Sequence, residues 1–517
     1  MFKILGKIFS RVVLVSVGIA LQLAWLFLIV FKMSEHYLPI AIVFNLISII
    51  AVIWIINRPG NPTVKIAWIV PILVFPLFGG IIFILSGGKG PKKKLRRALD
   101  KTTKLTASSV KGNDAAEPTL LSSETPDVRQ QCGYLEKHGF PYYVDSDAAY
   151  YDNGRDGWER MLEDLKRAEK FIFLEFFIIR EGKMWNAILD ILREKVNAGV
   201  EVRLMYDDVG SIGCVPHKYP REMEKLGIKC VAFNRYKPIY SVVMNNRDHR
   251  KILVIDGNVS WTGGSNLADE YIGELERFGE WKDNFVRLEG EAVRSMTVRF
   301  LQMWNAALQI AKRPTDGEEH IASYMPDPAH SASVHAEGIV QPYGDSPEDE
   351  NIIGEDVYRN IINQANADVY IFTPYLVIDY EMTRALSLAA QRGVDVRVVV
   401  PEIPDKKIVY ELTKSYFPEL IENGVKIYKF TPGFIHSKCF VADDRIAVVG
   451  TINLDYRSLI QHFENACLFV GHPVVGQVKA DFDNTFPRCE EVQPRKKKYN
   501  VFYNSYLGIL RLLAPLL

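Results

Sequence analysis

Cysteine is scarce in this 517-residue chain, and the six present (Cys132, Cys214, Cys230, Cys439, Cys467 and Cys489) stand apart, with no C-x-x-C pair. That excludes a zinc ribbon and a disulfide framework and fits a reducing compartment. Net charge is missing too. With 62 Lys and Arg against 62 Asp and Glu, the balance offers no general basic surface for a polyanion. No cluster of His and carboxylates has metal-ligand spacing, so neither a metal nor a cofactor is expected. Histidine is itself sparse, at ten residues.

Charge is also nearly absent from residues 1–85, after which Lys89, Lys92, Lys93, Lys94, Arg96 and Arg97 follow directly. Val12 to Phe31 and Leu38 to Ile56 are uncharged runs long enough to span a bilayer. The length of the first run, the lack of a small-residue cleavage site and the second run close behind argue against a signal peptide. Ile66 to Leu85 is apolar but interrupted by Pro71, Pro76, Gly79 and Gly80. Read as re-entrant or interfacial, it leaves Lys3, Lys7, Arg11 and the basic run all on the cytoplasmic side. The expected organisation is a membrane anchor over 1–88, a basic then polar linker over 89–127, and two lobes over 128–330 and 331–517. The chain is then a multi-pass protein of a bacterial plasma (inner) membrane, with its lobes in the cytosol.

From about residue 130, helical and strand periods alternate. Trp158 to Lys170 and Met184 to Ala198 read as helices, and Phe171 to Ile179 and Val200 to Tyr206 as strands. The second half repeats the unit: strand 368–373, helix 381–392, strand 394–400. The echo is visible in letters, AGVEVRLMYDD at 198–208 against RGVDVRVVVPE at 392–402. The fold class expected is α/β, with two pseudo-twofold lobes of mixed sheet flanked by helices and the active site at their interface.

What is present in duplicate carries the chemistry. His249, Lys251, Asp256 and Asn266 recur as His436, Lys438, Asp443 and Asn453, with spacings of two, five and ten residues in both copies. With ten His, and Lys and Asp each at roughly 0.06 chance per site, about 0.04 such His-Lys-Asp hits are expected in a chain of this kind. On a strand, His and Lys two apart share one face. The turn that follows leads to a second strand and to Gly263-Gly264-Ser265-Asn266 or Gly450-Thr451-Ile452-Asn453, read as a helix start able to favour an anion. Two imidazoles serve when one attacks phosphorus and the other protonates the leaving alkoxide. Each needs a carboxylate on its far nitrogen, and Asp283 (KDNFVRLEG) and Glu464 (FENACLFVG) are the candidates, in segments that align with one another. The pattern leaves open whether Asp256 and Asp443 act chemically or anchor the turn. Such a pair of sites points to phosphodiester transfer through a phosphohistidine.

HRKILVIDGNVSWTGGSN and HSKCFVADDRIAVVGTIN resemble the two HKD motifs of the phospholipase D superfamily. With FLEFFIIREGKMW, RLMYDDVGS, NLADEYIG, TPYL and the apolar end LRLLAPLL, the chain is similar to bacterial cardiolipin synthases over essentially its whole length. The resemblance implies transfer of a phosphatidyl group between two phosphatidylglycerol molecules to give cardiolipin and glycerol, without metal or cofactor. It suggests His249 as nucleophile and His436 as general acid and then base. Its partners would be phosphatidylglycerol, cardiolipin and the lipid bilayer, with no nucleic acid. One departure is Gly264, where the superfamily often has Ser, so that a hydroxyl contact to phosphate is expected only from Thr451. A phospholipase D, or a transferase resembling phosphatidylserine synthase, is the alternative; a membrane-bound nuclease fits less well. Two apolar stretches, Tyr236 to Met244 and Tyr503 to Leu517, are expected to meet lipid or to pack in the core.

Overall fold

The computed structural model describes residues 37–75, 93–110, 125–144, 146–235, 246–347, 351–494 and 500–516. The chain divides into two compact units. The larger runs from residue 91 to 498 apart from 236–245, and the smaller joins the N-terminal segment to the C-terminal one.

In the smaller unit, helix α1 (Tyr37–Ile56) is followed by α2 (Pro62–Val74). Asn61 caps α2 by accepting from Thr63 N at 2.9 Å, with Pro62 at the first helical position, where its missing N–H is not needed. The helices meet through Ile55 and Ile72, both buried. Much of α1 has no such cover: Leu46, Ile47, Ile50, Ile53 and Trp54 are exposed. Among the described residues no helix is long and apolar enough to cross a membrane. The span expected at 38–56 is thus found as an apolar helix only, and the one at 12–31 lies outside the described residues. The stretch 66–85 is helical to Val74, and its remainder from 76 is not described. Tyr236 to Met244 also lies outside. The C-terminal helix Val501–Leu513 buries Leu507 and exposes Val501, Phe502 and Ile509.

The larger unit holds two sheets of equivalent topology. The first comprises β1 (Ser146–Tyr151), β2 (Phe171–Phe176), β3 (Glu201–Asp207), β4 (Lys229–Phe233), β5 (Lys251–Ile255), β6 (Val259–Gly263) and β8 (Phe285–Gly290), with β7 (Glu280–Lys282) standing outside it. Its order is β1-β8-β6-β5-β2-β3-β4. The second runs through β9 (Ile339–Asp345), β10 (Asp368–Phe372), β12 (Asp395–Pro401), β13 (Lys426–Phe430), β15 (Cys439–Ala442), β16 (Ile446–Gly450), β18 (Glu464–Val470) and β19 (Cys489–Glu491). Short β11 (Leu376–Val377), β14 (Gly433–Ile435) and β17 (Leu454–Asp455) lie outside it. Read from β9, the order β9-β18-β16-β15-β10-β12-β13 repeats the first sheet, and β19 adds an edge strand. In each lobe the two pairings of the helix-connected strands are parallel and the remainder antiparallel, so the sheets are mixed as expected.

The physical reason for the parallel part is visible in β2. FIFLEF is buried at every position, as a strand covered on both faces must be. Two helices fill the space between the sheets: Val293–Ala311 and Pro473–Thr485. Each stacks a phenylalanine on its own sheet, Phe300 on Phe173 and Phe482 on Phe372, with ring centroids 4.7 and 3.7 Å apart. One apolar core joins both lobes, from Ile252 and Val254 to Val441 and Phe469.

Two expectations are corrected. The stretch taken as linker begins with a helix, Lys93–Leu105, whose Leu95 and Ala98 enter that core, while Thr106 accepts from Gln302 Nε2 at 2.8 Å. No α-helix starts at Asn266 or Asn453. The chain makes a short 3₁₀ turn at Asp269–Ile272 and a π turn at Arg457–Gln461.

Candidate active site

Each histidine is brought to its carboxylate by a contact between the lobes. In the first lobe the strand leading into His249 runs beside Phe463: His249 N donates to Phe463 O at 2.9 Å, and Phe463 N donates to Arg247 O at 2.8 Å. The next residue is Glu464, and its Oε2 lies 2.9 Å from His249 Nδ1. In the second lobe β14 pairs in parallel with β7 of the first, and His436 N donates to Lys282 O at 2.7 Å. The next residue is Asp283, whose Oδ2 lies 2.7 Å from His436 Nδ1. The carboxylates are therefore exchanged: each lobe supplies the one that orients the other lobe's imidazole. With Nδ1 occupied in both, Nε2 is the nitrogen left for a reacting group.

The site is closely packed. The histidine side chains retain only 8% and 11% of their exposure, while Lys251, Lys438, Asp283 and Glu464 are buried. Burial, the largest influence, keeps His249 well below the ordinary imidazole range, against the pull of Glu464. Burial, reinforced by the Lys438 ammonium, brings His436 down to about 4, although Asp283 opposes it. Burial also lowers the two lysines, Lys251 to about 8 and Lys438 to about 7, despite the nearby carboxylates. For Glu464 and Asp283, burial alone would raise the pKa; the partner histidines outweigh it and hold both carboxyls below their usual range. At neutral pH the arrangement is two neutral imidazoles, each sharing its Nδ1 proton with an anion.

The lysines differ. Lys251 Nζ donates to the carbonyl of its own His249 at 2.6 Å. Lys438 Nζ makes the matching contact to His436 O and also lies 2.8 Å from His436 Nδ1. After burial, the charge acting most strongly on His249 is an anion and that on His436 is a cation.

Asp256 and Asp443, grouped with the catalytic set by spacing, belong elsewhere. They lie at the far ends of β5 and β15, roughly 17 Å along the strand from the lysines at 3.3 Å per residue. Both adopt left-handed backbone, φ 54°, at the first central position of tight turns. The Asp256 carboxylate accepts from the amides of Glu169, Lys170 and Phe171 at 2.7 to 2.8 Å. Asp443 accepts from Asn366, Ala367 and Asp368 at 2.8 to 3.1 Å. They anchor the entry of β2 and β10.

The residues assigned to phosphate are also engaged within the protein. Asn266 accepts from Ile178 N at 3.0 Å and donates to Tyr271 OH at 2.8 Å. Asn453 donates to Ser458 Oγ at 3.0 Å, while its Oδ1 is buried and has no partner among the described residues. The Thr451 hydroxyl donates to Glu464 Oε2, so it braces the carboxylate of His249. Gly264 is glycine for lack of room: a Cβ there would lie 2.0 Å from Asp283 Oδ1. The departure in the first motif thus follows from the carboxylate packed against it.

Several residues escaped the sequence reading. Arg250, between His249 and Lys251, pairs with buried Glu175 and, at 3.1 Å, with Asp248 Oδ1. Asp207, which burial pushes up to about 6, accepts from Asp248 N at 3.1 Å. This buried network fixes the strand that carries His249. Trp281 lies over His436 and His462 over His249, with ring centroids 5.5 Å apart in both cases and planes inclined by 43° and 41°. The two occupy equivalent places, two residues before Asp283 and Glu464 in the aligned segments, and that alignment was the signal available.

A doubled His–Lys site between two equivalent lobes defines a phosphodiester-transfer protein of the phospholipase D-like class. The model for the cardiolipin synthase PLD-like domain matches residues 161–304 and 358–486, and that for the phospholipase D–nuclease N-terminal region matches 46–88. A cardiolipin synthase of Halalkalibacterium halodurans is 32% identical over 92% of this chain and 93% of its own. An uncharacterized protein of Streptococcus mutans is 44% identical over 90% of this chain and 99% of its own. The phosphatidylserine synthase structure from Haemophilus influenzae shares the fold at 14% identity, with TM-score 0.57, over 76% of this chain and all of that one. The chain belongs to the cardiolipin synthase family, enzymes of the phosphatidyltransferase class.

Proposed function

We propose that the enzyme moves a phosphatidyl group from one phosphatidylglycerol to another through a phosphohistidine at residue 249. Nε2 of His249 attacks phosphorus and the bond to the glycerol headgroup breaks. The anionic phosphodiester brings a proton onto Nε2 of His436, the resulting imidazolium gives it to that leaving oxygen, and glycerol departs. A primary hydroxyl of a second phosphatidylglycerol then gives its proton to His436 and attacks phosphorus, and cleavage of the N–P bond releases cardiolipin. Lys251 and Lys438 supply the positive charge that holds the phosphate.

The observation that carries this reading is the crossed pairing of each imidazole with the other lobe's carboxylate, at 2.9 and 2.7 Å. The difference between the lysines supports the order of roles. Both imidazoles have a carboxylate at Nδ1, but His436 has the Lys438 ammonium there as well, which makes it the better acid and leaves His249 the better nucleophile. The exposed apolar side chains of α1 and of the C-terminal helix support attachment to a bilayer. The basic residues at both ends of the N-terminal segment support a bacterial plasma membrane, multi-pass, with the lobes in the cytosol. Purified protein given phosphatidylglycerol in detergent should form cardiolipin and glycerol in equal amounts. Phosphatidic acid as the sole lipid product would replace this reading with that of a phospholipase D.

A further inference from the structure

Beside His249 the aromatic place that Trp281 fills in the other half holds an imidazole, and that exchange has a chemical consequence. His462 is 9% exposed, and neither of its ring nitrogens has a hydrogen-bond partner among the described residues. Packing alone would be served by any aromatic ring, as it is over His436. His462 Nδ1 lies 3.5 Å from Glu464 Oε1, and His249 Nδ1 lies 3.0 Å from the same oxygen. One donor atom from each of His249, His462 and Glu464 falls within 4.8 Å of the other two. Four-coordinate zinc with bonds near 2.0 to 2.1 Å needs donors about 3.3 Å apart, so the two measured separations match edges of such a tetrahedron.

We propose that His249, His462 and Glu464 form an inhibitory site for zinc or a similar divalent transition metal, with water or a substrate phosphate oxygen as the fourth ligand. The metal takes the place of the Nδ1 proton that His249 shares with Glu464, and through solvent that proton moves to Nε2 of the same ring. His249 is then the other neutral tautomer, with Nδ1 on the metal, Nε2 protonated and no lone pair for phosphorus. The nearby Lys251 ammonium opposes a dication, so binding is weaker than at a closed structural site and is reversed by a chelator. The metal binding stands on geometry alone, and only its inhibitory effect rests on His249 as the reacting group. The trio went unseen in the sequence because His249 and His462 lie 213 positions apart.

The test is titration of the full-length, tag-free enzyme with Co²⁺, read by the strong visible absorption of four-coordinate cobalt, alongside inhibition by ZnCl₂. His462→Phe keeps a ring in place, as Trp281 does opposite, and His462→Gln serves if the first variant unfolds. The wild type should show the cobalt band and be inhibited by zinc, with full recovery in EDTA. In the variant the band should vanish and the zinc concentration for half-inhibition, read against the variant's own metal-free rate, rise at least tenfold. A cobalt band and zinc sensitivity unchanged by loss of His462, or no band in the wild type, would overturn the proposal. Because the cobalt signal does not depend on turnover, its absence in a fully active enzyme would leave the transfer mechanism standing.

Discussion

Glu464→Gln is the perturbation that probes the crossed pairing most sharply. The carboxylate lies 2.9 Å from His249 Nδ1 and also accepts from Thr451. On attack at phosphorus, His249 becomes cationic beside this buried anion. Two unit charges about 4 Å apart at an effective dielectric near 20 interact by roughly 4 kcal/mol, about a thousandfold in rate. Glutamine also turns an N–H toward Nδ1, which selects the wrong tautomer and enlarges the loss toward about ten-thousandfold. The loss should fall on kcat, with KM little changed. Lys251, deprived of a neighbouring anion, should drop further below its value of about 8, moving the alkaline limb of the rate profile to lower pH. Glycerol release from phosphatidylglycerol in mixed micelles measures the rate, and circular dichroism melting checks the fold. A folded variant within about tenfold of wild type would refute the reasoning.

Asp256→Asn should leave kcat within a few-fold and lower the melting temperature, because it weakens three charge-assisted amide contacts at the entry of β2, a loss of about 1 to 3 kcal/mol. A collapse of kcat in a stable variant would return Asp256 to the chemistry. The lysines at about 7 and 8 are charged below those values and neutral above them, so kcat/KM should fall as pH rises through 7 to 8. A flat profile to pH 9 would contradict their role as phosphate-binding cations. A protease site inserted between residues 111 and 124 should resist external protease in spheroplasts and be cut after lysis; cutting in intact spheroplasts would place the lobes outside.

The doubled motif was legible because His, Lys, Asp and Asn keep identical offsets on equivalent strands, and the strand–helix–strand letters around residues 198–208 and 392–402 gave the pseudo-twofold sheets. Asp283 and Glu464 could be found because their segments align. Their exchange between lobes could not, since it depends on Phe463 and Lys282 meeting the chain before His249 and His436, a pairing that no local period encodes. Composition misled at 93–109. Leu95, Ala98, Thr102 and Leu105 have helical spacing, but lysines and threonines around them read as solvent-exposed linker. Spacing likewise joined Asp256 and Asp443 to the catalytic group, although a strand carries them to the opposite end of the sheet. The hydroxyl of Thr451 looked free for phosphate until Glu464 was seen against it.

The central claim is that a phosphatidyl group is held on His249 while His436 moves the proton. The direct measurement is acid-quenched trapping with His436→Ala enzyme and phosphatidylglycerol, followed by mass spectrometric mapping of the modified peptide under conditions that preserve phosphoramidates. With the general acid–base removed, turnover of the adduct slows, and the phosphatidyl mass should appear on the peptide containing His249 and be absent from His249→Ala. An adduct on His436 in the His249→Ala enzyme, with none on His249 in the other variant, would reverse the roles, and no adduct in wild type or either variant would contradict the phosphohistidine route altogether.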